Sequence, residues 1–390
     1  MPAPSVLLRG PGWKLPAPLD LRDPLEVRSV PAGRPDELPA LLAWLDGIAA
    51  SGRPGLLAAG FLTYEAGVAL EGSAALFRPP TTPLAWFGLF DLGGERGRAE
   101  GATAGRTAPF DPRGELDAAA WADAVEAIRQ GIARGDVYQA NLTRRTSRPL
   151  PVPPRRLADL LWDDNPVPYA ISVETGELAV VSNSPELFLD ADLGARRVAS
   201  APIKGTVPRL LGGSEEAARA ALLASEKDAA EHLMIVDLVR NDLGRVCEAG
   251  SVHVPVLRAL RSFRHLHHLE STVAGTLRAG ARLADLLVAT LPAGSITGAP
   301  KRAALGFIRR LEPVPRGPYT GAAGYVRGDG TTVLNVAIRT AVASGGSVAY
   351  HAGGGIVWDS DPAAEWAETE TKSREFFRAL AAAAREREGA

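Results

Sequence analysis

The stretch of chain that decides the fold class is residues 169–181, with the sequence YAISVETGELAVV. Two short runs of β-branched, aromatic and apolar residues, 169–173 and 177–181, flank the turn letters ETG. Such runs on either side of a glycine-containing turn predict a β-hairpin. The two halves of a hairpin are antiparallel, so we expect a sheet with antiparallel strands.

Outward from this hairpin, strand and helix patterns mix without regular alternation. Strand-like runs recur at 56–64, 84–91, 137–144, 251–260, 321–326, 332–340 and 348–352. Helical spacing or helix-start signals occur at 36–50, 121–132, 214, 225–244, 281–291, 301–310 and 361–380. Hairpins mixed with isolated helices predict α+β layers, because a doubly wound parallel sheet requires strands and helices in strict alternation.

The segment 93–114 repeats Gly, Ala and Arg, shows no hydrophobic period and contains Pro112. These features predict a linker. It divides the chain into an N-terminal segment, 1–92, and a region 115–390. No group suited to acid–base chemistry stands out in the N-terminal segment, so we expect the chemistry in 115–390.

Composition sets the broad class of protein. The chain has 390 residues, of which 46% are hydrophobic and 23% charged, and its formal net charge is -2. A large core is therefore possible, and nucleic acid is not an expected partner because no basic field exists. No run is long enough to span a bilayer, and we expect a cytoplasmic protein without membrane association. The one cysteine, Cys247, excludes an internal disulfide and is expected to be buried and unreactive.

A second informative stretch, residues 201–209 with the sequence APIKGTVPR, places one lysine between a proline and a glycine. Pro202 fixes its own φ, and Gly205 lets the chain approach a ligand closely. Lys204 is thus presented from a shaped turn, as a covalent or basic lysine has to be. A solvated loop lysine is the alternative interpretation.

Two pairs of acidic residues have helical spacing. Asp228 and Glu231 are three residues apart, and so are Glu365 and Glu368. Residues at this spacing share a helix face, so two such helices meeting over a pocket would bring four carboxylates together. Oxygen-only ligands favour a hard cation such as Mg²⁺. The alternative is that the pairs cap helices or lie on solvated surface, since Asp228 follows the cap candidate Ser225 by three residues.

Three further features could bind an anion or line a pocket. Arg339 lies in the predicted strand 332–340, where alternation places it on the face of Asn335 and Ala337. An arginine on a strand face is suited to a carboxylate, or to a structural ion pair. The three glycines at 353–355 allow main-chain N–H groups to reach an anion.

The histidine cluster at 265–268 has the sequence HLHH. Strand alternation would put His265 and His267 on one face and His268 on the other. We expect one of these histidines to face a pocket and the others to be exposed. A zinc site is not expected, because a second set of ligands is missing.

Read together, six motifs resemble those of the chorismate-utilising enzymes, the family of anthranilate, aminodeoxychorismate, isochorismate and salicylate synthases. The resemblance runs from about residue 121 to the end. The motifs are GDVYQANL at 135–142, SPE at 184–186, PIKGT at 202–206, EHLMIVDLVRNDLG at 231–244, PAGSITGAPK at 292–301 and the block 353–372. This resemblance implies two packed β-sheets enclosed by helices in a single large domain, with 1–92 part of the sandwich and 115–390 as the chorismate-binding catalytic region.

The resemblance also implies roles for single residues. It implies that Lys204 adds to C2 of chorismate and that Glu186 is the general acid for the departing C4 hydroxyl, which requires a raised pKa. It implies that Mg²⁺ is the cofactor, held directly by Glu231 and Glu368. The remaining implied metal ligands, near the ion or linked through water, are Asp228 and Glu365.

The implied substrate-binding residues form a larger group. Arg339, Tyr319 and the amides of Gly353 and Gly355 would hold the side-chain carboxylate of chorismate. The others would line the pocket: Gln139, Gly205, Thr206, His268, Thr297 and Lys372.

Two positions suggest the branch of the family. Isochorismate and salicylate synthases have a lysine where this chain has Gln139, and anthranilate synthases usually have an alanine where it has Lys204. The pair resembles aminodeoxychorismate synthases, which aminate chorismate at C4 for p-aminobenzoate and folate synthesis. With one cysteine and no glutaminase site, the resemblance implies a separate glutamine amidotransferase subunit as the ammonia source. The alternatives are anthranilate synthase component I and a non-catalytic chorismate-binding protein.

Overall fold

The fold is given by a computed structural model, which describes residues 3–16, 18–93, 109–111, 115–210 and 212–388. The strands within these ranges are β1 (Ser5–Arg9), β2 (Leu19–Arg22), β3 (Glu26–Val30), β4 (Arg53–Leu62), β5 (Ala85–Asp91), β6 (Gln139–Pro149), β7 (Tyr169–Glu174), β8 (Leu178–Ser184), β9 (Leu187–Asp192), β10 (Arg197–Ala201), β11 (Ile203–Pro208), β12 (His253–Ser262), β13 (Leu266–Thr276), β14 (Gly298–Ala299), β15 (Ala322–Gly328), β16 (Thr331–Val336), β17 (Thr340–Ser344) and β18 (Ser347–Ile356).

The α-helices of the same ranges are α1 (Leu38–Ala49), α2 (Tyr64–Leu70), α3 (Ala118–Ala133), α4 (Pro154–Asp164), α5 (Glu215–Ala224), α6 (Glu226–Gly244), α7 (Leu283–Thr290), α8 (Lys301–Leu311) and α9 (Pro362–Glu388). Ser214 and Ser225 cap α5 and α6 with their hydroxyls, as the sequence signals predicted. In the part of the chain that the structure describes, no helix combines the length and the apolar character needed to cross a membrane.

The described strands build two sheets. The first sheet has the spatial order β14-β6-β18-β17-β8-β7-β1-β2, and the second has the order β11-β13-β10-β9-β16-β15-β4-β5-β3, with β12 also paired to β13. The predicted hairpin is present: β7 and β8 are antiparallel, with Val173 opposite Val180. The α+β class with two packed sheets is therefore confirmed.

The two sheets pack face to face around an apolar core. Val6 and Val180 of the first sheet meet Phe61, Trp86 and Val333 of the second, and all five side chains are buried. Helices α1, α6, α7 and α8 cover the outer face of the second sheet, and α4 and α9 pack on the first. Because an isolated sheet must bury its apolar face, this layering gives the two sheets one shared interior.

The N-terminal segment contributes to both layers. Strands β1 and β2 lie in the first sheet, whereas β3, β4 and β5 lie in the second. Trp13 lies between the sheets and donates its indole N–H to the carbonyl oxygens of Arg9 and Ala170, at 2.9 and 3.0 Å. Of the predicted linker 93–114, residues 94–108 and 112–114 lie outside the described residues, so this linker and the domain boundaries stay predictions.

The prediction of a single strand over 332–340 is wrong. The chain leaves the second sheet at Val336 and enters the first at Thr340, so 337–339 form the crossing between the two layers. Arg339 has a φ of 50° there, in the left-handed region that ends strand geometry. The predicted strand face shared with Asn335 and Ala337 therefore does not exist.

The close contact between β4 and β5 yields a test of this packing. A Cβ atom on Gly60 would lie 1.9 Å from the carbonyl oxygen of Trp86, so we expect Gly60→Ala to lower the free energy of unfolding. Overpacking of this kind costs roughly 1–3 kcal/mol or more. Gly47→Ala in α1 is the matched control, because a Cβ there meets nothing within 4 Å and alanine favours a helix by about 0.5–1 kcal/mol. Urea unfolding followed by circular dichroism measures both. A Gly60→Ala protein as stable as the Gly47→Ala protein would contradict the packing.

Candidate active site

One cavity of about 670 Å³ opens between the two sheets' edges and two helices. A volume of this size suits a small-molecule ligand. Of the sixteen residues proposed from the sequence, fourteen line it: Glu186, Lys204, Gly205, Thr206, Asp228, Glu231, His268, Tyr319, Arg339, Gly353, Gly355, Glu365, Glu368 and Lys372.

Lys204 is presented on β11, at the edge of the second sheet. Gly205 has a φ of 81°, and the register of β11 with β13 shifts between Lys204 and Thr206, so the strand bulges at this point. The lysine Nζ lies 3.1 Å from Oε2 of Glu231, and its side chain is 17% exposed. The amine therefore faces the cavity from a partly buried position and does not extend into bulk solvent.

The acidic helix faces meet at the same cavity. Asp228 and Glu231 reach it from α6, and Glu365 and Glu368 reach it from α9. Lys372, one turn along α9, lies with its Nζ 2.6 Å from Oε1 of Glu368. The cavity thus carries charges of both signs, which suits an anionic ligand bound together with a cation.

Glu186 also lines the cavity and is buried. Burial raises the pKa of its carboxyl to about 7, although the hydroxyl of Ser295, the N–H of Ile203 and the charge of Lys204 oppose this shift. The Ser295 hydroxyl donates to Oε1 of Glu186 at 2.6 Å. Near neutral pH a large share of this carboxyl is therefore protonated, as a general acid has to be.

The sequence pattern suggested that the glycines at 353–355 follow a strand. In the structure they lie within β18. Gly353 is opposite Thr143 of β6. The N–H of Thr143 is directed to Glu312 at 3.0 Å, so this pair exchanges no ladder hydrogen bonds. The N–H groups of Gly353 and, two residues on, Gly355 accordingly point away from β6.

That side of β18 is uncovered at the glycines, because its pairing with β17 extends only from Ser347 to Tyr350. The carbonyl of Gly353 accepts a hydrogen bond from Lys372 Nζ at 2.8 Å on this side. Both glycine amides therefore face the cavity.

Arg339 and Tyr319 lie together on the cavity wall. Arg339 comes from the crossing segment between the sheets, and its Nη1 donates to the carbonyl of Lys372 at 2.6 Å. Tyr319 is 6% exposed and stacks on His351, with ring centroids 5.1 Å apart. Burial raises the pKa of Tyr319, so its hydroxyl keeps its proton and can donate to an anion.

The prediction that one histidine faces a pocket and the others are exposed is wrong for His265, which also lines the cavity, and for His267. The His267 side chain is fully buried, and its Nδ1 lies 2.8 Å from the hydroxyl of Ser262. His268 does line the cavity, where its Nδ1 lies 2.7 Å from the hydroxyl of Thr206. Burial, with Arg339 and Lys372 nearby, lowers the pKa of His268 to about 3, so it is neutral. Cys247 is buried, as expected.

Two of the sixteen residues do not line the cavity. Thr297 is fully buried and donates its hydroxyl to the carbonyl of Ala293 at 3.0 Å, so the prediction that it lines the pocket is wrong. Gln139 is also fully buried, and its amide lies on the same side of Gly355 as the amine of Lys204: a Cβ on that glycine would lie 1.9 Å from Gln139 Nε2 and 2.8 Å from Lys204 Nζ.

Comparison with known proteins identifies the family of this chain. Residues 97–378 match the family described as chorismate binding enzyme. The chain belongs to this family. It is 45% identical to anthranilate synthase component 1 of Streptomyces coelicolor, over 68% of this chain and 52% of that protein. It is 40% identical to aminodeoxychorismate synthase component 1 of Bacillus subtilis, over 70% of this chain and 57% of that protein. The chain thus spans little more than half the length of these curated relatives.

A solved structure supports the fold over nearly the whole chain. Anthranilate synthase component I from Streptococcus pneumoniae superimposes with a TM-score of 0.76 at 26% identity, covering 96% of this chain and 92% of that one. The relatives carry two different names, so the chain is a chorismate binding enzyme whose particular reaction has to be argued from the site.

The structure of this family member shows site residues that the sequence did not single out. Ser295 holds Glu186, Asn141 lines the cavity and donates to the carbonyl of Ser295 at 3.1 Å, and His351 supports Tyr319. The signal for Ser295 was present, because it lies in the motif PAGSITGAPK, but the motif alone does not show that the hydroxyl faces a carboxyl.

The residues fit a hard cation in their chemistry. Four carboxylates line one cavity, and carboxylate oxygens are what Mg²⁺ prefers. Glu365 Oε2 and Glu368 Oε1 both lie near Gly354, at 3.2 and 3.8 Å from the position of an added Cβ. As the side chains stand, the described residues contain no group of three or more His, Cys, Asp or Glu side chains that could hold a metal ion.

The raised pKa of Glu186 predicts how stability depends on pH. A carboxyl whose pKa rises from 4.5 to about 7 on folding stabilises the folded protein below pH 4.5, and this contribution is lost as pH rises through 7. Between pH 6 and 8 the loss is on the order of 1 kcal/mol. Glu186→Gln cannot ionise, so we expect its unfolding free energy, relative to the original protein, to increase by about this amount from pH 6 to pH 8. Parallel urea curves at the two pH values measure it, and a constant difference would contradict the buried acid.

Proposed function

We propose that the protein replaces the C4 hydroxyl of chorismate by an amino group and so forms 4-amino-4-deoxychorismate. The observation that supports this most is the placement of Lys204 and Glu186 in one cavity, where burial raises the pKa of the Glu186 carboxyl to about 7. A nucleophile and a general acid are the two groups that such a substitution needs.

In the proposed reaction the neutral amine of Lys204 adds to C2 of the ring. The double bonds C1–C2 and C5–C6 shift to C1–C6 and C4–C5, and the C4–O bond breaks. Glu186 gives its proton to the departing oxygen, so that water leaves instead of hydroxide. Ammonia then adds to C4, the double bonds return, the C2–N bond to Lys204 breaks, and the added nitrogen gives a proton back to Glu186. The net change is gain of ammonia and loss of water, and the enolpyruvyl ether stays intact.

The ion pair between Lys204 and Glu231 has to open before this attack, because only an amine with a free electron pair is a nucleophile. Glu231 and Glu368 would hold Mg²⁺, with Asp228 and Glu365 nearby. When bound, the ion would supply positive charge for the ring carboxylate of the substrate.

The second carboxylate of chorismate would lie at the uncovered edge of β18. Arg339, Tyr319, Gly353 and Gly355 all line the cavity, and the guanidinium, the hydroxyl and the two amides would bind this carboxylate. Charge-assisted hydrogen bonds from several fixed donors orient a carboxylate strongly. Thr206, His268 and Lys372 would close the remaining wall.

Ammonia would come from a separate glutamine amidotransferase subunit in the cytoplasm. The one cysteine of the chain, Cys247, is buried in an isolated bridge with Leu277 and cannot be a glutaminase nucleophile. Free ammonium salts would replace the partner in an assay.

Anthranilate synthesis is the second candidate, and the name of the Streptomyces coelicolor relative favours it. Both reactions start from chorismate, but only anthranilate synthesis releases pyruvate. With chorismate, Mg²⁺ and ammonium sulfate, we expect aminodeoxychorismate by liquid chromatography and mass spectrometry, and no pyruvate in a lactate dehydrogenase coupled assay. Omission of ammonium is the control. Fluorescent anthranilate with an equal amount of pyruvate would overturn the proposal.

A non-catalytic chorismate-binding protein is the third candidate. Such a protein would show a chorismate-dependent rise in thermal midpoint without any product in the same assay. The paired placement of Lys204 and Glu186 argues against it, because binding alone needs neither a buried acid nor a nucleophile.

Replacement of Lys204 tests the nucleophile directly. We expect Lys204→Ala to lower the rate of C4 amination by on the order of a hundredfold or more, because a group that acts only in the reaction step is removed. Lys14→Ala is the matched control, since it removes an exposed lysine that pairs with Asp190 far along the chain. Circular dichroism should show both variants folded. Full activity of Lys204→Ala would remove the proposed covalent step.

A further inference from the structure

We propose that His232 is a positioning residue that anchors the main chain of Lys204, so that the amine is aimed at the substrate. This inference rests on the proposed nucleophilic role of Lys204. Among the described residues that line the cavity His232 is absent, so it would act through Lys204 and not by touching the substrate.

The contacts of the imidazole carry this inference. His232 is fully buried on α6, with Nδ1 3.3 Å from the carbonyl oxygen of Lys204 and Nε2 2.7 Å from the hydroxyl of Ser271. A carbonyl oxygen only accepts hydrogen bonds, so Nδ1 carries the proton and donates to Lys204. Nε2 then accepts from the Ser271 hydroxyl. One orientation and one tautomer of the ring satisfy both partners.

The hydrogen bond from His232 to Lys204 lies at an irregular point of strand β11. The register between β11 and β13 shifts between Lys204 and Thr206, where Gly205 adopts its positive φ. A bulge of this kind locally disrupts the ladder. The hydrogen bond from the imidazole holds the main chain at this bulge, where the hydrogen bonds between β11 and β13 hold the backbone of Lys204 least.

Ser271 makes the anchor rigid. Its main-chain N–H donates to the carbonyl of Pro202 at 3.1 Å, and its hydroxyl accepts from the N–H of Arg258 at 2.9 Å. The imidazole is therefore bonded to Ser271 of β13, which in turn is bonded to Pro202, the residue before β11. Adjacent residues of α6 then hold the two ends of the nucleophile: Glu231 contacts Nζ, and His232 contacts the carbonyl.

Two variants of equal polarity separate anchoring from general stability. In His232→Asn the amide nitrogen occupies the place of Nδ1, whereas in His232→Gln it reaches the place of Nε2. We expect His232→Asn to keep at least about a third of the kcat for ammonia-dependent turnover, and His232→Gln to lose about 10- to 100-fold, as misplacement of a reacting group by about 1 Å does. KM for chorismate should stay within about twofold in both, because the substrate ligands are untouched. Equal kcat values for the two variants, or a change in KM without a change in kcat, would overturn the inference.

A second measurement needs no chorismate. The chain has five lysines, so labelling of each by trinitrobenzenesulfonate can be followed by peptide mass spectrometry. We expect Lys204 to be labelled several-fold faster in His232→Gln than in the original protein, because its backbone is no longer held. Lys372 is the internal reference, since it lines the same cavity from α9. Unchanged labelling of Lys204 would contradict the anchor.

The two proposals fail in different ways. If the original protein releases anthranilate and pyruvate, the proposed reaction is wrong, yet the labelling comparison still tests whether His232 holds Lys204. If aminodeoxychorismate is formed but the Asn and Gln variants behave alike, the reaction stands and the anchor is wrong.

Discussion

A buried ion pair between Arg316 and Glu312 contacts strand β6, which pairs with β18, the strand that carries the glycines of the candidate site. Glu312 accepts from Nη2 and Nε of Arg316, at 2.6 and 2.9 Å, and from the N–H of Thr143 on β6. Arg316 also donates to the carbonyl of Asn141 at 3.0 Å. Because the Thr143 amide is turned to Glu312, the opposing Gly353 turns its own amide towards the cavity. Loss of one partner of such a pair leaves a buried charge alone, at a cost of about 3–5 kcal/mol, so the geometry of the edge depends on both.

Local sequence patterns predicted most of the fold and the site residues that lie on helices. The hairpin at 169–181 and the carboxylate pairs on α6 and α9 depend on strand and helix periodicity, which neighbouring residues determine. Arg339 and Thr297 were placed wrongly for the opposite reason. The left-handed turn at Arg339 arises where the chain changes sheets, and Thr297 is buried where its carbonyl accepts the N–H of the distant Asn141 at 2.8 Å. Contacts between distant segments, which no single stretch records, decide such cases.

The charge pattern of the cavity follows from its two helices. Each acidic helix face is partly neutralised by a lysine, through the pairs Lys204–Glu231 and Lys372–Glu368. These two ion pairs are less permanent than a fully buried ion pair would be, because the side chains of Lys204 and Lys372 are 17% and 29% exposed. A dicarboxylate substrate can compete for the cations, and a divalent ion can compete for the carboxylates. The site is thus built to exchange partners on binding.

The two positions that suggest the branch of the family are linked by one glycine. An added Cβ on Gly355 would collide with Gln139 Nε2 and come within 2.8 Å of Lys204 Nζ, so the amide and the amine share the space above this residue. A lysine in place of Gln139 would put a second cation beside Lys204 in a site where Gln139 is fully buried, and like charges at such a distance repel strongly in a low dielectric. The residue at 139 therefore influences the charge state of the lysine at 204, since a neighbouring cation favours the neutral amine. The identity of each position constrains the other, and the pair has to be interpreted as one feature of the site.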